Sequence, residues 1–243
     1  MQIKGILFDK DGTLIDFQSL WLQAAKEVAD LLIRINGLEK SKEKRIFILK
    51  AMGVEDGKVI PDGPLAYQTY ADIGEAICEA LKKQGDVMDP VLIAEQLSVL
   101  FESVTARDDF EYREIIPLRP LFETLHRRGV KVGLATADTI TSVRRCFKKL
   151  GILELFDFLG CDDGVLKPKP EKDMFEKFCE KFAMKPQEIL VVGDTRNDMV
   201  FAHACGGTGI GVLSGLAKRE DFAGEADEIF SSIGEIPEYL ERN

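Results

Sequence analysis

The chain has 243 residues, of which 45% are hydrophobic and 30% charged, and its net charge is −10. This acidity argues against a nucleic-acid partner, because proteins hold phosphate backbones mainly with Lys and Arg, but it leaves room for a small phosphorylated molecule in a locally basic pocket. The sequence has no long apolar run, no signal-peptide pattern and no CxxC pair among its five cysteines. We therefore expect a cytoplasmic protein with reduced thiols and no membrane span.

The first predicted element is a short apolar strand over residues 3–8, which ends at the acidic and glycine-containing segment DKDGT. After it the pattern becomes helical, because apolar residues recur at three- and four-residue steps. Glycines and prolines in residues 53–64 predict a loop within this part. The predicted helices cover residues 21–35, 42–52, 65–84 and 89–105.

Beyond Pro117 apolar strands alternate with helices. Such alternation predicts βαβ units, and the strands are mainly apolar rather than alternating, which is typical of a parallel sheet covered on both faces. The predicted helices cover residues 119–128, 139–150, 171–182 and 197–205, followed by a terminal helix. The predicted strands cover residues 130–135, 156–160, 189–192, 209–213 and 227–230.

Two acidic pairs follow apolar strands. Asp9 and Asp11 lie two residues apart at the end of the first strand, where one carboxylate can attack a phosphorus atom and the other can exchange a proton with the leaving group; Gly12 permits a tight turn. Asp194 and Asp198 follow strand 189–192, and carboxylate oxygens are the ligands that Mg²⁺ prefers. Each pair alone could also be an acidic surface turn or a helix start enriched in acids.

Two further segments offer groups that bind phosphate. In LATAD, at the end of strand 130–135, the hydroxyl of Thr136 can donate to a phosphate oxygen, although Thr136 and Asp138 could simply cap the next helix. In KPKP, before helix 171–182, the prolines would present Lys167 rigidly, and a fixed ammonium offsets phosphoryl charge. A solvated basic loop would explain KPKP equally well.

Together the segments DKDGT, LATAD, KPKP and GDTRND, in this order, resemble the four motifs of the haloacid dehalogenase superfamily, and the chain is similar to its phosphoglycolate-phosphatase-like members. The resemblance implies an α/β core with a doubly wound, Rossmann-like parallel sheet, formed by residues 1–15 and 116–243. Residues 16–115 stand where that family inserts an all-helical type 1 cap domain.

The resemblance also implies a role for each matching residue. Asp9 would be the nucleophile, and Asp11 would protonate the leaving oxygen and later activate water. Mg²⁺ would be held by Asp9, Asp194 and Asp11, the last through its backbone carbonyl. The remaining matching residues would bind phosphate (Thr136, Ala137 and Lys167) or support the site (Asp198 and Gly12).

The implied function is Mg²⁺-dependent hydrolysis of a small phosphate monoester, phosphoglycolate or similar, through an aspartyl-phosphate on Asp9. Asp11 separates this function from the family's dehalogenases and phosphonate-cleaving members, which lack the second acid. A phosphomutase of the β-phosphoglucomutase type and a non-catalytic interaction protein on the same fold are the alternatives.

Lys10 departs from the family pattern, which more often has an apolar residue between the two acids. We expect its side chain to point away from the site and assign it no catalytic role.

Overall fold

The structure is a computed structural model that describes residues 2–60, 63–162 and 164–242. Its chain divides into two compact units. The first, called the core, comprises Met1–Phe17 and Tyr112–Asn243, and the second, called the cap, comprises Gln18–Glu111.

The core alternates strands and helices along the chain, as the sequence pattern predicts. Its strands are β1 (Gly5–Phe8), β4 (Lys131–Thr139), β5 (Phe158–Asp162), β6 (Ile189–Gly193), β7 (Thr208–Val212) and β8 (Glu228–Phe230). Its helices are α6 (Leu118–Arg127), α7 (Ile140–Lys149), α8 (Asp173–Phe182), α9 (Arg196–Cys205) and α10 (Ile236–Arg242). The numbers missing from these two series belong to elements of the cap.

The strands of the described core form one parallel sheet in the order β5-β4-β1-β6-β7-β8. From β1 in the interior the chain winds outward in both directions, which confirms the predicted doubly wound α/β fold. Because β1, β4 and β6 are parallel neighbours, their carboxyl ends lie side by side at one edge of the sheet, where such folds place their ligands.

Aromatic rings of α8 and α9 cover one face of this sheet. Phe178 is fully buried, and a Cβ at either Gly5 or Gly133 would lie within 2.8 Å of its ring atoms. These two glycines, on the adjacent strands β1 and β4, therefore let the ring pack directly on the sheet backbone. The face is completed by a cluster of buried apolar residues that includes Leu7, Met174, Phe175, Ile189, Val191 and Phe201.

The cap is mainly helical, and α4 packs along α5 within it. Its elements are α1, which begins in the core segment (Phe17–Ile35), α2 (Lys42–Ala51), β2 (Val54–Glu55), β3 (Lys58–Val59), α3 (Pro64–Tyr67), α4 (Tyr70–Lys82) and α5 (Pro90–Ala106). None of the helices in the described ranges is long and apolar enough to cross a lipid bilayer.

The cap differs from the sequence prediction in two details. The single helix predicted over 65–84 is two helices, because Thr69 caps α4 through a reciprocal pair of hydrogen bonds with Asp72. The predicted loop contains the antiparallel pair β2–β3, joined at Asp56-Gly57, where both residues have positive φ. Asp-Gly is a favoured hairpin turn, so the signal was present. Residues 61 and 62 of that loop lie outside the described ranges.

Candidate active site

The chain leaves β1 in a tight turn that contains the first acidic pair. The N–H of Gly12 donates to the carbonyl of Ile15 over 2.7 Å, and the N–H groups of Leu14 and Ile15 both donate to the carbonyl of Lys10 over 2.9 Å. Gly12 has φ of 89°, and a Cβ there would collide with the Asp194 carboxylate. Both the backbone conformation and the close approach therefore require glycine at this position.

Asp9 meets a buried lysine where β1 ends. Lys169 Nζ donates to Asp9 Oδ1 over 2.7 Å and to Asp198 Oδ1 over 2.5 Å, and the lysine side chain is only 8% exposed. Asp198 Oδ2 accepts from the N–H and the hydroxyl of Thr195, which fixes it at the start of α9. One ammonium thus bridges carboxylates of the first and fourth motifs, and we call Lys169, Asp9 and Asp198 the Lys169 centre.

The lysine that contacts Asp9 is Lys169. The sequence-based prediction of Lys167 in this place is therefore corrected. Lys167 is exposed, and its backbone N–H donates to Asp173 Oδ2 over 3.3 Å at the start of α8. The sequence alone could not separate the two, since each is followed by proline. Their difference lies in the fold, which buries only Lys169 against the end of β1.

Asp194 follows β6 and is held by the loop after β7. The N–H of Leu216 donates to Asp194 Oδ2 over 2.9 Å, and a Cβ at Gly215 would collide with that carboxylate. Ser214 Oγ donates to the carbonyl of Gly12 over 2.8 Å, which ties the same loop to the turn after β1. Sequence analysis missed this loop; its signal was a Ser-Gly pair just after an apolar strand.

Three carboxylates at this edge of the sheet could hold a metal ion. Asp9, Asp194 and Asp198 each offer one oxygen, and these oxygens lie within 4.8 Å of one another. Two of the three carboxylates, those of Asp9 and Asp194, were expected as metal ligands; the third expected ligand, the Asp11 carbonyl, stays a prediction. Since both Asp198 oxygens already accept hydrogen bonds, Asp9 and Asp194 are the better placed to bind a hard cation.

The electrostatics of these acids fit a cation. Burial raises the pKa of Asp9 to about 6; Lys169 opposes this shift and Asp198 adds to it. The pKa of Asp194 is raised well above its ordinary value by burial and by the charges of Asp9 and Asp198. Burial alone would lower the pKa of Lys169, but Asp198 and Asp9 raise it, so the ammonium stays charged. One ammonium among three acids leaves negative charge that a divalent cation would offset.

A second buried lysine, Lys10, belongs to the turn itself. Lys10, 3% exposed, lies 2.7 Å from Asp138 Oδ2 and 3.1 Å from Asp11 Oδ1 through its Nζ atom. Asp138 is fixed beside the start of α7, where Ser142 Oγ donates to its Oδ2 and the N–H of Thr139 donates to its Oδ1. We call Lys10, Asp11 and Asp138 the Lys10 centre. The expectation that Lys10 points away from the acids is wrong.

Both burial and the neighbouring charges shift the pKa values of this centre. The pKa of Asp11 is raised, chiefly by burial and further by Asp138, while Lys10 lowers it. The pKa of Lys10 would be lowered by burial but is raised by Asp11 and Asp138. Neighbouring charge is thus not the main reason that Asp11 holds its proton more tightly than a solvated carboxyl.

The remaining predicted phosphate-binding residues lie at the end of β4, beside β1. Thr136 is buried, and its Oγ1 accepts a hydrogen bond from the N–H of Asp138 over 3.2 Å. Ala137 is exposed. The strand order thus brings Thr136 and Ala137 to the same sheet edge as Asp9 and Asp194.

Comparison with known proteins agrees with this architecture. A phosphoglycolate phosphatase of Shigella dysenteriae is 27% identical over 239 residues, which cover 96% of this chain and 91% of the relative. A protein of Clostridium perfringens provisionally named a pyrophosphatase is 26% identical over 210 residues, 86% of this chain and 84% of that protein.

Solved structures match over almost the whole chain. A predicted phosphoglycolate phosphatase of Haemophilus somnus has a TM-score of 0.69 at 21% identity and covers 98% of both chains. A Thermotoga maritima protein provisionally identified as a β-phosphoglucomutase has the same TM-score at 18% identity and covers 99% of both. At these identities the likeness shows a shared fold.

The family model for haloacid dehalogenase-like hydrolases matches residues 3–206, which contain every predicted site residue and both lysine centres. The resemblance seen in the four motifs is thereby confirmed. The chain belongs to the haloacid dehalogenase-like hydrolase family.

Proposed function

We propose that this chain is a Mg²⁺-dependent phosphatase that transfers the phosphoryl group of a small monoester first to Asp9 and then to water. The observation that carries the proposal is the Lys169 centre. It places a carboxylate at the end of β1, with a fixed ammonium 2.7 Å from one oxygen and Asp194 in the same acidic cluster. A carboxylate so placed can act as a nucleophile once the charge of the phosphate is offset.

A bound Mg²⁺ would offset the negative charges of the phosphoryl group and of Asp9, which otherwise repel each other. In our proposal Asp9, Asp194 and the backbone carbonyl of Asp11 hold it. Lys169 provides the second positive charge, and Asp198 keeps that ammonium in place. Thr136 and the exposed Ala137 at the end of β4 bind the phosphoryl oxygens through the hydroxyl and a backbone N–H.

In the first step a carboxylate oxygen of Asp9 attacks phosphorus, and the bond from phosphorus to the ester oxygen breaks. That oxygen takes the proton of Asp11 and leaves as an alcohol, so Asp9 carries the phosphoryl group. The raised pKa of Asp11, caused mainly by burial, favours the protonated form that this step requires.

In the second step water attacks the phosphorus of the aspartyl-phosphate. Asp11, now ionised, takes a proton from that water, and the bond between phosphorus and the Asp9 oxygen breaks. Phosphate is released, and both aspartates return to their starting forms. The two steps divide one difficult hydrolysis into two reactions that use the same proton carrier.

The substrate class is a small phosphorylated metabolite. A net charge of −10 disfavours nucleic acid, and the site's cations are confined to a few buried positions. Relatives named as phosphoglycolate phosphatases make 2-phosphoglycolate the first candidate. The relative named as a pyrophosphatase adds inorganic pyrophosphate to the compounds that we would test.

The test is phosphate release from a panel of esters with Mg²⁺ and with EDTA. The panel contains 2-phosphoglycolate, hexose phosphates, nucleotides, pyrophosphate and p-nitrophenyl phosphate. We expect release that requires Mg²⁺ and is lost in Asp9→Asn. Release that is unaffected by EDTA, or by Asp9→Asn, contradicts the proposal.

The same panel separates hydrolysis from phosphoryl transfer between sugars. A phosphomutase would interconvert hexose phosphates when a sugar bisphosphate is added and would release little phosphate. That outcome would replace the proposed hydrolysis with the alternative implied by the sequence.

A further inference from the structure

We propose that Lys10 is a positioning residue for the reaction: anchored by Asp138, it holds the Asp11 carboxylate in the orientation from which Asp11 passes its proton to the leaving group. This inference rests on the proposed function, in which Asp11 is the proton carrier. It concerns a residue that the sequence motifs leave without a role.

The geometry forms a continuous chain of contacts from a helix to the acid. Ser142 Oγ donates to Asp138 Oδ2 over 2.8 Å at the start of α7, and the N–H of Thr139 donates to Oδ1 over 2.7 Å. Lys10 Nζ lies 2.7 Å from the same Asp138 Oδ2 and 3.1 Å from Asp11 Oδ1. Because Asp138 is fixed by the helix, the ammonium between the two acids is fixed as well.

Burial makes this contact more effective than an ordinary surface ion pair. The Lys10 side chain is 3% exposed, and Asp11 and Asp138 are 21% and 22% exposed. Lysine is almost never fully buried unless it is paired, because removing an ammonium from water is costly. An apolar side chain would fill this interior position without that cost, so packing alone does not explain the lysine.

Holding one carboxylate oxygen fixes where the other one lies. A free Asp11 side chain would rotate about its two side-chain bonds, whereas contact of Oδ1 with a fixed ammonium restricts both rotations. Proton transfer needs heavy atoms within hydrogen-bond distance, and small misplacements reduce the rate strongly. Lys10 itself does not touch the reacting atoms in this account.

The proposal predicts an effect that depends on the leaving group. An alkoxide needs a proton in order to leave, whereas p-nitrophenolate leaves readily without one. Loss of the Asp11 orientation should therefore slow the transfer of phosphate from an alkyl ester much more than from p-nitrophenyl phosphate. General acid catalysis contributes about 10²–10⁴-fold, so a misplaced acid should cost roughly ten- to a hundredfold on the alkyl ester.

The experiment compares kcat/KM for 2-phosphoglycolate, or the best alkyl ester of the panel, with kcat/KM for p-nitrophenyl phosphate in wild type and Lys10→Met. The ratio isolates the first chemical step, because kcat/KM does not include breakdown of the phosphorylated enzyme. We expect the alkyl ester to lose about tenfold more than the aryl ester. An equal loss on both esters overturns the proposal.

Lys4→Met is the matched control. Lys4 precedes the other end of β1 and pairs with Glu188 over 2.6 Å, but its side chain is 50% exposed. Its substitution removes a lysine and an ion pair of the same strand segment, and it should leave the ratio between the two esters unchanged. A shifted ratio in this control would show that any lost ion pair produces the effect, and would also overturn the proposal.

A double substitution tests whether Lys10 acts through Asp11. In an Asp11→Asn background there is no proton carrier to orient, so adding Lys10→Met should change kcat/KM for the alkyl ester by less than about twofold, which is the scatter found for independent sites. If Lys10→Met costs as much in that background as in wild type, Lys10 acts elsewhere and the proposal fails.

If circular dichroism shows that Lys10→Met does not fold, Asp138→Asn is used instead to test whether the ratio of kcat/KM for the two esters shifts. This substitution weakens the contact between Asp138 and Lys10 and keeps both Lys10 and Asp11. It should shift the ratio of kcat/KM for the alkyl and aryl esters in the same direction as Lys10→Met. An unchanged ratio in folded Asp138→Asn contradicts the proposal. If wild-type enzyme releases phosphate from no ester, the proposed function fails first, which distinguishes that failure from an active wild type with an unshifted ratio.

Discussion

The Lys169 centre and the Lys10 centre are built alike. In each, a buried lysine bridges an aspartate at the end of β1 to an aspartate fixed at the start of a helix: Asp198 at α9 in the first and Asp138 beside α7 in the second. The two aspartates after β1, Asp9 and Asp11, are thus held separately although only Lys10 lies between them in sequence.

The difference between the centres lies in their surroundings. Asp9 and Asp198 share their cluster with Asp194, so the Lys169 centre has excess negative charge and fits a cation. The Lys10 centre has one ammonium between two acids, and neither the Asp11 nor the Asp138 carboxylate belongs to the group of three carboxylates that could hold a metal ion. In our account the first centre therefore acts on the phosphoryl group and the second on the proton. Substitutions in the two centres should therefore differ in how their effects depend on the leaving group.

The largest expected effect is that of Lys169→Met. Removing a fixed charge aimed at the transferring group costs about 10²–10³-fold in kcat, and it should do so alike for alkyl and aryl esters. Lys167→Met is the matched control, since Lys167 is exposed and two residues away. Steady-state phosphate release measures both variants. A comparable loss in Lys167→Met would reverse the assignment made from the structure.

A smaller loss is expected for Asp198→Asn. This substitution removes the charge that holds Lys169 but keeps the ammonium, and losing a supporting partner of this kind costs about 10–100-fold. Because Asp198 belongs to the phosphoryl side, the loss should not depend on the leaving group, unlike that of Asp138→Asn. Measured kcat/KM values for the two ester types decide this, and a leaving-group-dependent loss in Asp198→Asn would contradict the division.

The free energy of unfolding should also distinguish the buried Lys10 centre from the ion pair of Lys4. Lys10→Met leaves Asp11 and Asp138 without their partner and should lower the free energy of unfolding by about 1–3 kcal/mol. Lys4→Met breaks an ion pair whose lysine is 50% exposed and should cost less than about 1 kcal/mol. Urea unfolding at neutral pH compares the two. Equal losses would mean that the Lys10 centre is no more important to the fold than a surface ion pair.

The last expected effect is a pH dependence of stability in the absence of metal. The pKa of Asp9 is raised from 3.8 to about 6, chiefly by burial, so the folded chain binds this proton more tightly than the unfolded chain does. The associated stability is fully present below about pH 4 and is lost as the pH rises through about 6. Thermal unfolding in EDTA should show this loss in wild type and a smaller one in Asp9→Asn. Identical pH profiles would contradict it.

The fold, and the grouping of much of the candidate site at one sheet edge, could be predicted from the sequence for the same physical reason. Asp9, Thr136 and Asp194 each lie at or near the carboxyl end of a mainly apolar strand, and the parallel sheet brings those strand ends together. Strand pattern and residue chemistry are local properties, so both are visible without the structure. The glycine and acid content of the turn after β1 was informative in the same way.

What sequence reasoning missed depends on contacts between distant residues. Lys167 and Lys169 are each followed by proline, and only packing against β1 separates them. The environment of Lys10 depends on Asp138, which is 128 residues away in the chain. Gly215 matters because its backbone approaches Asp194, and a Ser-Gly pair after a strand is too common to indicate this.

The central claim is that Asp9 carries the phosphoryl group, and trapping the intermediate tests it most directly. Asp11→Asn given p-nitrophenyl phosphate and Mg²⁺ should accumulate the aspartyl-phosphate, because this leaving group needs no proton and the base for the second step is missing. Borohydride reduction of the quenched enzyme converts an acyl phosphate to an alcohol, and peptide mass spectrometry locates it. We predict homoserine at position 9; an unmodified Asp9 after a turnover that released p-nitrophenolate would contradict the covalent account.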